Sequence, residues 1–124
     1  MIHIILSNTS NLAIYEQIIN QMKDAIINGD VKPGEGLPSI RGLAQDLQIS
    51  VITTKRAYEE LEAEGLVESK PGRGFFVKEN RVEMLKEKRV QSLEWQMQEL
   101  IKQCKNTGLK KKDMLDMLEV LYDE

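Results

Sequence analysis

Between Asn11 and Asn28 the apolar residues fall at Leu12, Tyr15, Ile18, Ile19, Met22, Ala25 and Ile26. Intervals of three and four put them on one face of a helix with 3.6 residues per turn, and Gly29 stands where a left-handed stop would end it. Lys32-Pro33-Gly34-Glu35-Gly36 interrupts the pattern as a loop, and Pro38 keeps Leu37 extended. Ser39 predicts the cap of a second, short helix whose apolar set is Ile40, Leu43, Ala44 and Leu47, a single stripe. After a tight turn at Gln48-Ile49, Ser50 predicts the cap of a third helix running to about Glu64, with Thr54, Ala57, Tyr58 and Leu61 on one face. Gly65 ends that helix and the period then changes. Leu66–Ser69 and Phe75–Val77 read as two strands, with Pro71-Gly72-Arg73-Gly74 as the hairpin loop.

Two short helices joined by a turn of about three residues form a helix-turn-helix, and the hairpin behind them makes it a winged helix with Arg73 at the wing tip. The expected fold is therefore mainly α with a small β-hairpin wing. Beyond it, residues 81 to about 106 predict a long helix with Val82, Leu85, Leu93, Met97, Leu100, Ile101 and Cys104 near one side. Asn106-Thr107-Gly108 breaks it, and Lys110 to Tyr122 predicts a last helix carrying Met114, Leu115, Leu118, Leu121 and Tyr122. Two such helices cannot bury their apolar stripes alone. They pack either on a second copy or on the winged helix, and a stripe that continues so far from residue 80 favours a symmetric dimer. The expected division is a winged helix-turn-helix domain at 1–79 and a two-helix dimerisation tail at 80–124. The dimer contacts are expected on Leu93, Met97, Leu100, Ile101, Leu115, Leu118, Leu121 and Tyr122.

Composition removes several alternatives. With 124 residues there is room for one domain with an appendage. Cys104 is the only cysteine, so no internal disulfide forms, and its apolar helical position suggests a plain core thiol. His3 is the only histidine and has no ligand cluster beside it, which argues against a metal or a histidine-based catalytic centre. There is no glycine-rich phosphate loop and no nucleophile elbow, so neither an enzyme nor a cofactor is expected. No apolar run reaches the ~20 residues of a membrane span. The opening MIHIIL is too short for a signal-peptide core and lacks a basic flank, which suggests a cytoplasmic protein.

The net charge of −3 argues at first against a nucleic-acid partner. The distribution changes that. Residues 81–124 hold nine basic and nine acidic residues, whereas the first 80 hold eight and eleven, and these are segregated. Glu59, Glu60, Glu62, Glu64 and Glu68 cluster in 57–68 without a cation, while Lys70, Arg73 and Lys78 occupy 69–78 without an anion. The glutamate cluster reads as a solvated helix face. On the third helix Ile52, Arg56 and Glu59 point outward, with Thr53 and Lys55 on the flanks. An isoleucine in the first exposed turn is either a stray surface residue or a contact for a thymine methyl in a major groove, with Thr53, Lys55 and Arg56 reaching base edges or phosphates. Arg41 lies off the apolar stripe beside the Ser39 cap, within reach of a phosphate or simply solvated. Arg73 is placed to enter a minor groove. Arg41, Lys55, Arg56, Lys70 and Arg73 are thus expected on one side of the domain.

The stretch LPSIRGLAQDLQISVITTKRAYEELEAEGLVESKPGRGFFV, residues 37–77, together with IYEQIINQMKDAIINGDVKPGEGLPS before it, resembles the winged-helix domain of GntR-type bacterial transcription regulators. The resemblance covers about residues 12–78. The short tail and Arg56-Ala57-Tyr58 further resemble the YtrA subfamily, whose members dimerise through the tail and often repress operons for ABC-type transporters. The resemblance implies DNA contacts at Ser39 and Arg41, at Ser50, Val51, Ile52, Thr53, Lys55 and Arg56, and at the Gly72-Arg73-Gly74 tip with Lys70 beside it. Three features depart from the pattern. Val51 stands where many members have arginine, and Gln48 where glycine is usual. Lys110-Lys111-Lys112 opens the last helix, where the dipole disfavours cations; either the helix starts later or the lysines meet an acidic partner.

These readings lead to a homodimeric, sequence-specific DNA-binding repressor on an inverted-repeat operator of double-stranded DNA. The alternative is a winged-helix protein-interaction module that uses the acidic helix face and binds no DNA. A small-molecule effector, if one acts, is expected in a dimer-interface cleft near Trp95.

Overall fold

The computed structural model describes residues 2–79 and 81–124; Met1 of the opening hexapeptide and Asn80 at the expected domain boundary lie outside them. Five helices and one hairpin follow in the order α1 (Ile14–Asn28), α2 (Ile40–Leu47), α3 (Val51–Ala63), β1 (Val67–Lys70), β2 (Gly74–Val77), α4 (Val82–Asn106) and α5 (Lys111–Tyr122). The chain forms two compact units, one ending at Lys86 and one spanning Glu87–Glu124.

In the first unit α1 and α2 both pack on α3, whose Thr54, Ala57, Tyr58 and Leu61 are fully buried. Helix α1 begins at Ile14, three residues later than its periodicity suggests, and Leu12 is exposed. The cause is local: the Ser10 hydroxyl accepts the Leu12 N–H, a turn that competes with helix. Ahead of it the chain is extended, with Ile4 buried and Ile2 and Leu6 half-buried between exposed neighbours. Two glutamines of α1 hold this segment. The Ile5 N–H donates to Gln21 Oε1 (2.9 Å) while the Ile5 carbonyl accepts from Gln21 Nε2 (2.7 Å). Ser7 makes the same pair of bonds with Gln17 at 2.8 and 3.0 Å. A primary amide offers the donor and acceptor of a peptide group. Residues four apart on a helix rise by about 6 Å and residues two apart on a strand by about 6.8 Å, so the two rows match. The sequence pattern gave no hint of this ladder.

The wing departs from its expected form in two ways. Gly74 belongs to β2, paired with Lys70, so the loop is Pro71-Gly72-Arg73. The Arg73 N–H closes it on the Lys70 carbonyl at 2.9 Å, and Gly72 at φ 73° matches the third position of a type II turn. A Cβ on Gly72 or Gly74 would meet nothing within 4 Å, so it is the positive φ of each, not space, that calls for glycine. Second, β2 is bonded on both edges. The Gly34 N–H donates to Val77 O (2.8 Å), the Val77 N–H to Glu35 O (3.0 Å) and the Leu37 N–H to Phe75 O (2.9 Å). The loop read as irregular is thus a backing strand in all but length.

Tyr58 ties these parts together. Its ring meets Phe75 edge-on at 4.9 Å between centroids, and its hydroxyl donates to Pro38 O at 2.6 Å. Burial pushes the phenol well above its ordinary range, so it remains a donor.

Between α2 and α3, Gln48 adopts φ 55°, ψ 48°, the left-handed conformation expected where glycine is usual, and its N–H caps Ala44 O and Gln45 O. Gln48→Gly is expected to stabilise the fold by about 0.5–1 kcal/mol, since relief of the Cβ clash exceeds the extra chain entropy of glycine. A rise of about 2–6 °C in Tm in a thermal melt checks this; an unchanged or lower Tm would contradict it.

The first turn of α4 belongs to the winged unit: Val82 is buried at 8% exposure and Leu85 packs on the same core. Over Glu87–Glu124 no residue is buried. Cys104, expected as a core thiol, is only half-buried. Helix α5 starts at Lys111, one residue later than expected. The Asp113 carboxylate accepts the Lys110 N–H at 2.9 Å, which places an anion in the first turn beside the three lysines. Among the described residues no helix is long and apolar enough to cross a membrane.

Candidate nucleic-acid interface

Helix α3 presents its N-terminal turn to solvent. Ser50 is the N-cap: its hydroxyl accepts the Thr53 N–H (3.0 Å) and donates to Thr53 Oγ1 (2.8 Å), so both side chains are fixed at the helix start. Val51 is 48% exposed and Ile52 81% exposed, two β-branched residues facing water at the positive end of a helix dipole. Thr54 turns inward and bonds the Ser50 carbonyl. Lys55 follows on the same turn, exposed. Ser39 caps α2 in the same way, accepting the Gly42 N–H at 2.9 Å, with Arg41 exposed beside it.

The cations divide into two groups. Among the described residues, no carboxylate or hydrogen-bond acceptor engages the charged ends of Arg41, Lys55 or Arg73. Lys70 lies 3.9 Å from Glu68 Oε1 and 4.6 Å over the Phe76 ring, anchored at the base of the wing. Arg56 is held most firmly: its guanidinium stacks 3.7 Å over the Tyr15 ring, Nη2 donates to Tyr15 Oη (3.1 Å), and Nε lies 3.6 Å from Glu60. Of the other glutamates, Glu64 pairs with Lys23 at 3.0 Å and Glu62 accepts the Ser69 N–H. The acidic cluster is therefore largely occupied by neighbours rather than left as a bare surface.

Sequence reasoning missed Tyr15, which its periodicity placed simply on the apolar face of α1. It also missed the bond from Tyr58 to the Pro38 carbonyl. No signal near either residue marks these roles, because the partners lie 41 and 20 residues away. Among the described residues no group of histidine, cysteine or carboxylate side chains is placed to hold a metal.

The fold and this face define a winged helix-turn-helix protein. Residues 14–77 match the family of bacterial regulatory proteins called gntR. The chain is 42% identical over 92 residues to the HTH-type transcriptional repressor YtrA of Bacillus subtilis, covering 74% of this chain and 71% of that one. Its structure is similar to a GntR family transcriptional regulator from Listeria monocytogenes, with a TM-score of 0.75 at 26% identity over 92% of this chain and 97% of that one. It is also similar to the DNA-binding domain of AraR in complex with operator ORR3, with a TM-score of 0.52 at 29% identity over 58% of this chain and 87% of that one. The chain belongs to the gntR family and is a YtrA-like transcriptional regulator, not an enzyme.

Proposed function

We propose that this regulator is a homodimeric repressor that binds an inverted-repeat DNA operator, with residues 1–79 as the DNA-binding domain and 80–124 as the dimerisation tail. The observation that carries the reading is the start of α3. Ile52 is 81% exposed there, on a turn capped by Ser50. In a major groove Ile52 meets a thymine methyl, and Thr53 and Lys55 reach a base edge and a phosphate. Arg41 at the start of α2 supplies a second phosphate contact, and Val51, Arg56 and Ser39 border them. Arg73, lifted by Gly72 and Gly74 with Lys70 behind it, enters the adjoining minor groove. AraR, whose DNA-binding domain has a similar fold, was solved on operator DNA, which supports DNA as the partner.

The tail supports the dimer. Leu93, Met97, Leu100 and Leu118 are each more than half exposed, a burden of apolar surface that a second copy of the tail would cover. Asp116, Met117, Val120 and Leu121 enclose a shallow apolar hollow on α5 suited to one side chain of a facing helix. Trp95 lies about 200° around α4 from Leu93, so an effector site at Trp95 would sit away from the Leu93–Met97–Leu100 row. By resemblance the operon under control encodes an ABC-type transporter.

Selection of bound duplexes from a random-sequence pool at physiological salt tests the proposal. An inverted repeat with half-sites spaced by one helical turn, about 10–10.5 base pairs, or a multiple of it is expected. Failure to enrich any palindrome would favour the protein-interaction module instead.

A further inference from the structure

Arg56 sits in the second turn of α3, about 40° around the helix from Ile52, on the outward side. A lone arginine there would sample many rotamers. This one does not stand alone: the Tyr15 ring lies under the guanidinium at 3.7 Å, Tyr15 Oη takes one Nη2 hydrogen at 3.1 Å, and Glu60 flanks Nε at 3.6 Å. The side chain nevertheless stays 59% exposed. One face of the guanidinium and its remaining Nη hydrogens are therefore open to solvent, while the other face and one edge are fixed. Tyr15 is itself half-buried near the start of α1, a helix that packs directly on α3. The ring is consequently a rigid platform, not a second mobile side chain.

We infer that Tyr15 is a positioning residue for DNA binding: it holds Arg56 in one conformation on the outward side of α3, ready to donate to a backbone phosphate. The inference rests on the DNA-binding reading above and adds a residue that lies outside the recognition helix. Planar stacking on an aromatic face with a fork of hydrogens left over suits arginine and no other residue. Fixing that fork before binding removes most of the ordering cost that a free arginine incurs when it meets a phosphate. Glu60 contributes to the hold but also offsets charge. Tyr15 positions Arg56 without that penalty.

A double-mutant cycle tests this on the full-length protein, using a duplex selected by the wild type and fluorescence anisotropy across a range of salt. Arg56→Gln is expected to weaken binding about ten-fold and to flatten the plot of log Kd against log salt by about one unit per protomer. Tyr15→Leu is expected to weaken it about three- to ten-fold, and Tyr15→Phe, which keeps the ring and loses the hydroxyl, by less. In the Arg56→Gln background neither Tyr15 change should cost anything further. Thermal melts run in parallel, and Tyr15→Phe carries the test if Tyr15→Leu unfolds. Losses that multiply in the double variants, or an Arg56→Gln protein with an unaltered salt slope, would overturn the inference while leaving the wider DNA-binding proposal intact. A wild type that binds duplex with no salt dependence would overturn both.

Discussion

Replacing Leu100 with aspartate is expected to leave a monomer at micromolar concentrations and to weaken binding to an inverted repeat by at least about 100-fold. Leu100 lies in a row with Leu93 and Met97 on α4 and is 59% exposed, in a unit where no residue from Glu87 to Glu124 is buried. A dimer formed through this row carries each substitution twice, once from each copy. Two carboxylates forced into an apolar contact without partners cost several kcal/mol. The winged unit has a core of its own, including Tyr58, Leu61 and Val67, and should remain folded. DNA binding falls because two linked half-site contacts become two independent ones. Sedimentation velocity reads the mass and anisotropy reads the affinity. A wild type that is monomeric at tens of micromolar, or a variant that stays dimeric, would refute the expectation. The same reasoning makes the wild-type melting temperature rise with protein concentration.

Neutralising Arg41, Lys55 and Arg73 together, each to glutamine, is expected to weaken operator binding about 1,000-fold near physiological salt. The salt dependence should lose about five units of log–log slope, since six cations per dimer no longer displace counterions from the DNA, at roughly 0.9 each. Their charged ends have no partner among the described residues, so the substitutions leave stability within about 0.5 kcal/mol. The net charge per chain moves from −3 to −6. Lys105, Lys111 and Lys112, changed to glutamine in the tail, produce the same shift in total charge and serve as the control. Equal weakening by the two triple variants would mean that bulk charge governs affinity, and the assignment of a DNA face would fail. A local effect confined to the first triple is the result expected. A chain that is acidic overall can bind a polyanion because screening, over about 8 Å at physiological salt, makes the nearest charges decisive.

The candidate face was legible from the sequence where its determinants are local. Ser39 and Ser50 announce helix starts because a short hydroxyl side chain bonds an N–H three residues on, and both do so. Gly72 and Gly74 announce the wing tip because its turn needs positive φ. Gln48 in place of glycine announces a strained corner for the same reason. The helices were read correctly wherever one apolar stripe met one core. The start of α1 was misplaced because periodicity extends through Leu12, whereas a Ser10 hydroxyl bond decides the backbone there. The start of α5 was resolved by Asp113, whose bond to the Lys110 N–H sets the first turn.

By itself, then, the chain's order of residues determined the winged helix-turn-helix, its caps, its wing and a tail of two helices with apolar rows, because each depends on intervals of one to four residues and on allowed φ. Only the tertiary structure decided that Gln17 and Gln21 clamp the extended segment ahead of α1, that residues 34–37 back the wing and that the first turn of α4 joins the winged unit. It also decided that Arg56 rests on Tyr15 while Arg41, Lys55 and Arg73 are left open. Those outcomes depend on groups 10 to 43 residues apart that the packing of the elements brings together. No local pattern encodes which of several exposed cations finds a neighbour, because that is settled by where the helices come to lie.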